Sequence, residues 1–193
     1  MVQSDAKRLL PILAKAFAEH GYRRATTAML AKHCGVRENV MYRVWPSKKA
    51  MFIAAINYIW DDSLTSWQEI IKTLKPDDPL GPAKRILQYE ATHFGELQLY
   101  RVVHAGLTET DDPEIAAAMR KMYQNFHDFI AQQLADVDPA GRKAADHDLT
   151  AWALVGLATA SSIGRGLGLM TGRQRSQLFN QIGNLLIASK NSS

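Results

Sequence analysis

Apolar residues recur at spacings of three and four along almost the whole chain, the signature of amphipathic helices. From Asp5 to His20, the residues Leu9, Leu10, Leu13, Ala16 and Phe17 form one apolar face, and Gly21 supplies a stop. Pro11 deletes a helical N–H and clashes one turn back, so this helix is expected to kink or to begin effectively near Leu10. Thr26 can cap a short helix over Thr27 to His33 that stops at Gly35. A second short helix runs from about Arg37 to Val44 and ends before Pro46. Ser47 then caps a long helix from Lys48 to about Lys75. Lys75 to Pro82 reads as a loop, followed by helices from Ala83 to about Phe94 and from Glu96 to Thr108, with Gly95 between them. Asp112-Pro113 is a cap followed by proline at the first helical position, opening a helix that carries Ile115, Met119, Met122 and Phe126. After the break at Asp138 to Gly141, two more helices cover about Arg142 to Met170 and Gly172 to Ser189. Alternating β-branched runs and Asn-Gly or Asp-Gly hairpin turns are absent. The pattern predicts an all-α protein of about nine helices, three short ones in front and longer ones behind.

Charge divides the chain where the pattern does. The net charge is +4, yet residues 1–50 hold ten Lys or Arg against Asp5, Glu19 and Glu38, and the remainder is slightly acidic. A basic head on a body of another character is the footprint of phosphate binding. The expected division is a basic helical head over 1–47 and a second helical domain over 48–193. With 193 residues there is enough chain to bury a real core.

The chemistry sits in Thr26 to Phe52. Two short helices meet around Cys34-Gly35-Val36, where Gly35 permits the positive φ of a tight turn. Leu30, Ala31, Cys34, Val36, Val40 or Met41, and Val44 can form a small core with Leu13 and Phe17. That leaves the second helix proud of the surface, at a size that fits the DNA major groove. By geometry Arg37 suits guanine, Asn39 suits adenine and Val40 can meet a thymine methyl, while Glu38 can accept from a cytosine amino group or pair with Arg37 or Arg43.

Phe17-Ala-Glu-His-Gly21-Tyr22, Thr26, Leu30-Ala31, Gly35-Val36, Met41-Tyr42-Arg43-Val44-Trp45 and Ser47-Lys48-Lys49-Ala50-Met51-Phe52 run without a gap in the register of one family pattern. Residues 9–52 resemble the N-terminal domain of the TetR (tetracycline repressor) family of transcriptional regulators. The resemblance implies an N-terminal three-helix helix-turn-helix domain and a C-terminal helical ligand-binding and dimerisation domain. It implies that Thr26, Tyr42 and Lys48 touch phosphates, and that Arg37, Asn39 and Val40 lie where bases are read. Glu38 and Arg43 complete the expected DNA-facing set. Arg37 stands where the family has a small cap, so the recognition helix loses a side-chain cap. Trp45 and Cys34 read as core, Cys34 as an inert thiol. Arg23 and Arg24 read equally well as solvated or as DNA-facing.

In the body, Gly156, Ala160, Gly164 and Gly168 recur every four residues, as one stripe of a helix. Each internal glycine costs about 1 kcal/mol against alanine, which close approach of another helix would offset. The last helix offers Leu178, Ile182, Leu185 and Leu186. The family's dimer interface is built from its last two helices, so Gly156, Ala160, Gly164, Leu178, Ile182 and Leu185 are the expected interface. The alternatives are packing within the chain, or a helix that ends near Gly164. A dimer places two recognition helices one duplex turn apart on a palindromic operator. The resemblance also implies a small organic ligand whose binding releases DNA. Trp67, Phe94, Tyr100, His104, Tyr123, Phe126 and Trp152 are the candidate lining, mixing aromatic bulk with polar tips. Function on this reading is repression, the alternative being a ligand-independent DNA-binding regulator or activator on the same fold.

Other classes lack support. Gly-x-Ser-x-Gly, a phosphate-cradling glycine loop and a paired acid–base cluster are all missing, so no enzyme is expected. His93, His104 and His127 show no metal-ligand spacing, so neither a metal nor a cofactor is expected. The single cysteine excludes an intramolecular disulfide, and no apolar run is long enough for a bilayer. A cytoplasmic protein without a membrane partner is the expectation.

Overall fold

A computed structural model describes residues 2–75, 78, 80–93, 99–136 and 144–187. Among the described residues there are nine helices and no strands: α1 (Val2–Arg24), α2 (Thr27–His33), α3 (Glu38–Val44), α4 (Lys48–Thr73), α5 (Gly81–His93), α6 (Tyr100–Leu107), α7 (Pro113–Ala135), α8 (Ala144–Gly166) and α9 (Gly172–Leu186). None of them is long and apolar enough to cross a membrane.

The chain forms two compact units. The first comprises Met1–Asp62 and Gly95–Met122. In it α1 packs on α2, α3 and α6. Its core is Leu9, Leu13, Phe17, Leu30, Met41, Met51, Phe52 and Ile56, all fully buried. Phe17 meets Phe52 edge-on at 5.0 Å between ring centres, and Tyr22 lies 4.7 Å from the same ring. Close packing also links α6 to α7, because a Cβ on Gly106 would stand 2.4 Å from Met119 Sδ.

The second unit comprises Ser63–Phe94 and Tyr123–Ser193. Here α5 packs on α9 around Ala83, Leu87, Ala91, Leu134, Ala151, Leu154, Phe179 and Ile187. Gly183 lets the two helices touch, since a Cβ there would lie 2.7 Å from Leu87 Cδ2. Arg175 is fully buried in this unit. Its guanidinium donates to the carbonyls of Glu90 and Ala91 at the end of α5 and to Ser161 Oγ, and it covers the Phe179 ring at 4.4 Å. Cations belong at a helix C-terminus, where unpaired carbonyls concentrate partial negative charge. Burial nonetheless pulls the Arg175 guanidinium down to about 10.

Two expectations from the pattern need correction. α1 does not begin near Pro11; it starts at Val2 and runs through the proline, and its one non-helical residue is Gly21 (φ 71°, ψ 167°). Pro11 and Lys7, whose carbonyl loses its helical donor, are both exposed residues. α8 ends at Gly166 rather than Met170, so Gly168 leaves the small-residue stripe. Gly168 has φ 70°, its N–H bonds Arg165 C=O at 3.1 Å, and Leu169 N–H bonds Gly164 C=O at 2.8 Å. That is the Schellman closure of a helix with glycine at its left-handed position.

Candidate nucleic-acid interface

Local chemistry builds the α2–α3 pair. Thr26 is extended (φ −95°, ψ 155°) and its hydroxyl accepts from Met29 N–H at 3.2 Å, capping α2. α2 closes at Gly35 (φ 65°): Gly35 N–H bonds Lys32 C=O at 3.1 Å and Val36 N–H bonds Ala31 C=O at 3.0 Å. α3 begins without a side-chain cap on Arg37, as that residue's chemistry led us to expect. Met41 (0% exposed) and Trp45 (8%) turn inward four residues apart and fasten α3 to the core. Arg37, Glu38, Asn39, Tyr42 and Arg43 are exposed, and Val40 is half-buried between them and the core.

Several of the expected contacts have partners inside the chain. Tyr42 Oη donates to Thr27 Oγ1 at 3.1 Å. Arg43 pairs with Asp5 of α1 at 2.8 Å, so Glu38 is not its partner. Lys48 Nζ donates to the carbonyls of Tyr22 (3.1 Å) and Ala25 (3.2 Å) and sits over the Tyr22 ring at 4.6 Å. Lys48 thereby ties the start of α4 to the link between α1 and α2, while Ser47 Oγ caps α4 by accepting from Ala50 N–H at 3.0 Å.

The positive head is also partly neutralised from afar. Arg23 pairs with Glu109 at 2.7 Å, and Lys49 bonds Asp112 at 3.1 Å and also Glu114. All three acids lie beyond residue 100, so the charge excess of residues 1–50 overstates the field the head presents. Lys49 holds the Asp112 carboxyl below the usual carboxylate range, helped by the Glu114 and Ile115 N–H groups that Asp112 caps. Arg24 donates to the His20 carbonyl at 3.2 Å. Cys34 is buried, and that burial raises its thiol pKa, in keeping with an inert core residue.

The expected ligand lining is only partly brought together. In the second unit Trp67 is buried, with ring centres 5.5 Å from Phe126 and 5.4 Å from Phe129. Its Nε1 donates to Glu90 Oε1 at 2.7 Å. Burial pushes the Glu90 carboxyl up, against the opposing pull of that bond and of Arg175. Tyr123 is half-buried in the same unit. Trp152 is 45% exposed and stacks on His127, with ring centres 4.6 Å apart. In the first unit Tyr100 and His104 meet edge-on at 5.7 Å, and burial lowers the His104 imidazole. Phe94 lies outside the described residues.

Of the expected interface residues, Gly156 and Ala160 are exposed on α8, and Leu185 is 79% exposed on α9. Gly164, Leu178 and Ile182 are half-buried, Ile182 packing against the core of the second unit. Leu149, Trp152, Ile163 and Leu167 extend the exposed stripe of Gly156 and Ala160 at spacings of three and four. Sequence reasoning missed Glu90 and Arg175, whose hydrogen-bond partners lie 14 to 85 residues away, beyond any helical spacing. It also missed the grouping of Glu19, His20 and His33.

An all-helical chain whose short third helix offers a polar, cationic face beyond a glycine turn belongs, as a class, with helix-turn-helix DNA-binding proteins. Residues 13–55 match the family model for bacterial regulatory proteins of the tetR family. The HTH-type transcriptional regulator UidR of Escherichia coli K12 is 25% identical over 144 residues, which is 75% of this chain and 71% of UidR. A TetR-family transcriptional regulator from Rhodococcus sp. has the same fold, with a TM-score of 0.80 at 14% identity over 96% of this chain and 100% of that one. So has a transcriptional regulator from Saccharomonospora viridis in complex with choline, with a TM-score of 0.79 at 19% identity over 97% and 100%. Over residues 13–55 the chain is similar to the tetR family of bacterial regulatory proteins, and as a whole it shares the fold of the transcriptional regulators it resembles.

Proposed function

We propose that this chain represses transcription as a homodimer on a palindromic operator and is released by a small organic ligand. The observation that carries the DNA reading is the split of α3: Met41 and Trp45 buried, Arg37, Glu38, Asn39, Tyr42 and Arg43 exposed. Residues 1–47 are the reading head, and 48–193 hold it in register. Arg37, Asn39 and Val40 meet base edges, with Glu38 at the helix start beside them. Thr26 and Tyr42 contact phosphates. Lys48 acts at the backbone through the α4 N-terminus it opens, its ammonium being engaged by two carbonyls. Arg43 reaches DNA by exchanging the Asp5 carboxylate for a phosphate. The exchange is cheap, because an exposed ion pair is worth only about 0–1 kcal/mol.

Two further observations support the rest. The exposed apolar stripe on α8, with Leu185 on α9, is the kind of surface that a second subunit covers. Choline in the Saccharomonospora regulator shows a small organic molecule housed by that protein of the same fold. We place the ligand's aromatic contact at Trp67 and Phe126, where a hydrogen-bonded acid, Glu90, lies alongside.

Selection of bound sequences from random duplex DNA tests the reading. The expected result is a palindrome with half-sites about one turn, 10 bp, apart. Asn39→Ala should relax preference at one base position in each half-site, and Tyr42→Phe should weaken all sites alike. Absence of any enriched sequence, or two variants indistinguishable from the parent, overturns it.

A further inference from the structure

The structure assigns a divalent transition-metal site to Glu19, His20 and His33. The two imidazoles point their Nε2 atoms at each other, 2.8 Å apart, with ring centres 4.9 Å apart. Glu19 Oε2 lies 3.9 Å from His33 Nε2. All three ligand atoms fall within 4.8 Å of one another. Zinc–nitrogen bonds of about 2.0–2.1 Å separate two ligating atoms by about 2.9 Å at a right angle and 3.3 Å at the tetrahedral angle, and by no more than about 4.2 Å in any geometry. Both measured separations fall at or inside that range, so small side-chain adjustments bring three donors to one centre. Two imidazoles and a carboxylate suit zinc and its neighbours rather than calcium or magnesium.

The Nε2 pair also fixes what happens to protons. At 2.8 Å one Nε2 donates to the other, so a single proton lies between the two nitrogens. A metal takes the place of that proton, which passes by way of solvent to Nδ1 of the same ring, so both Nε2 lone pairs face the ion with no net proton released. His127, by contrast, sends its two nitrogens to different carboxylates, Asp128 and Asp148, and offers no common centre. The site is open to solvent: the His33 and Glu19 side chains are 35% and 42% exposed.

Its position gives it a consequence. His20 immediately precedes the α1 break at Gly21, and His33 is the last residue of α2, two before the Gly35 turn. A metal there staples the ends of α1 and α2 together beside both glycine joints of the head. His20 and His33 are thirteen residues apart, so no helical spacing announces them.

Zinc titration of the purified full-length, chelator-stripped protein against a chromophoric competitor tests the site independently of any DNA. The expected result is one zinc per chain, a rise in melting temperature on loading, and tetrahedral visible bands with Co²⁺ in place of zinc. His33→Gln should weaken binding by at least about tenfold, since loss of even an outer-shell partner costs a metal site 10–100-fold. It should also abolish the thermal shift. Glu19→Gln, which keeps the imidazole pair and lies on the surface, provides a variant that folds; it too should bind zinc more weakly. His93→Gln should bind like the parent. No stoichiometric zinc binding by the parent, or equal binding by the parent, His33→Gln and Glu19→Gln, overturns the assignment.

Discussion

Gly21 is the residue on which the geometry of the DNA-reading head turns, and its replacement isolates a backbone effect. Its φ of 71° with ψ of 167° lies in a region that is essentially restricted to glycine. A Cβ built there meets nothing within 4 Å, so Gly21→Ala adds neither a clash nor a contact. What remains is strain of about 1–3 kcal/mol, reduced by the lower unfolded-state entropy of alanine, which favours folding by about 0.4–1 kcal/mol. A net loss of about 1–2 kcal/mol is expected. For a chain of this size that lowers the melting temperature by roughly 2–8 °C. Circular dichroism melts and urea titrations measure it. Gly35 is the internal comparison: its Cβ also meets nothing, but the Schellman bonds place it in the left-handed helical region, which asparagine tolerates. Gly35→Asn should therefore cost less than Gly35→Ala, whereas Gly21→Asn should be no better than Gly21→Ala. A Gly21→Ala protein that melts with the parent, or rescue of position 21 by asparagine, would refute the reasoning.

Three other outcomes are expected. Lys48→Ala removes two partly buried charge-assisted hydrogen bonds and should cost about 1–3 kcal/mol in urea unfolding; a change confined to DNA affinity would mean that the clamp on Tyr22 and Ala25 contributes nothing. Asp112 has a lowered folded-state pKa, so its contribution is complete above the unfolded value of about 3.9 and is lost as pH falls below it. Asp112→Asn keeps a capping oxygen but not the charge, and its acid unfolding curve should be shallower than the parent's over that limb. Gly156→Ala gains about 1 kcal/mol of helix propensity, with open space around the new methyl in the single chain. If α8 pairs closely across a dimer, sedimentation should nevertheless show more monomer at a given concentration, and unchanged association would place the interface elsewhere.

The parts of the fold that were legible in the chain are those fixed within a few residues. Thr26 capping α2, the Gly35 turn, the uncapped start of α3 at Arg37, Ser47 at the head of α4 and Asp112 ahead of Pro113 all act over at most five positions. The same reasoning failed where one residue type serves two purposes. Gly168 matched a four-residue stripe, yet it closes α8, because the spacing of small residues looks the same whether a helix continues or stops. Pro11 matched a breaker, yet α1 continues through it at an exposed position.

By itself, then, the amino-acid order determined the helices, their caps and the outward face of α3, because hydrogen-bond closure and apolar periodicity are local. Only tertiary structure decided which charges meet: Arg23 with Glu109, Lys49 with Asp112, Arg43 with Asp5, Lys48 with two carbonyls, Arg175 with the end of α5, and His20 with His33. Such pairs depend on how helices dock, and docking is set by the fit of buried side chains such as Phe17, Met41 and Phe52 rather than by the spacing of the charged residues themselves.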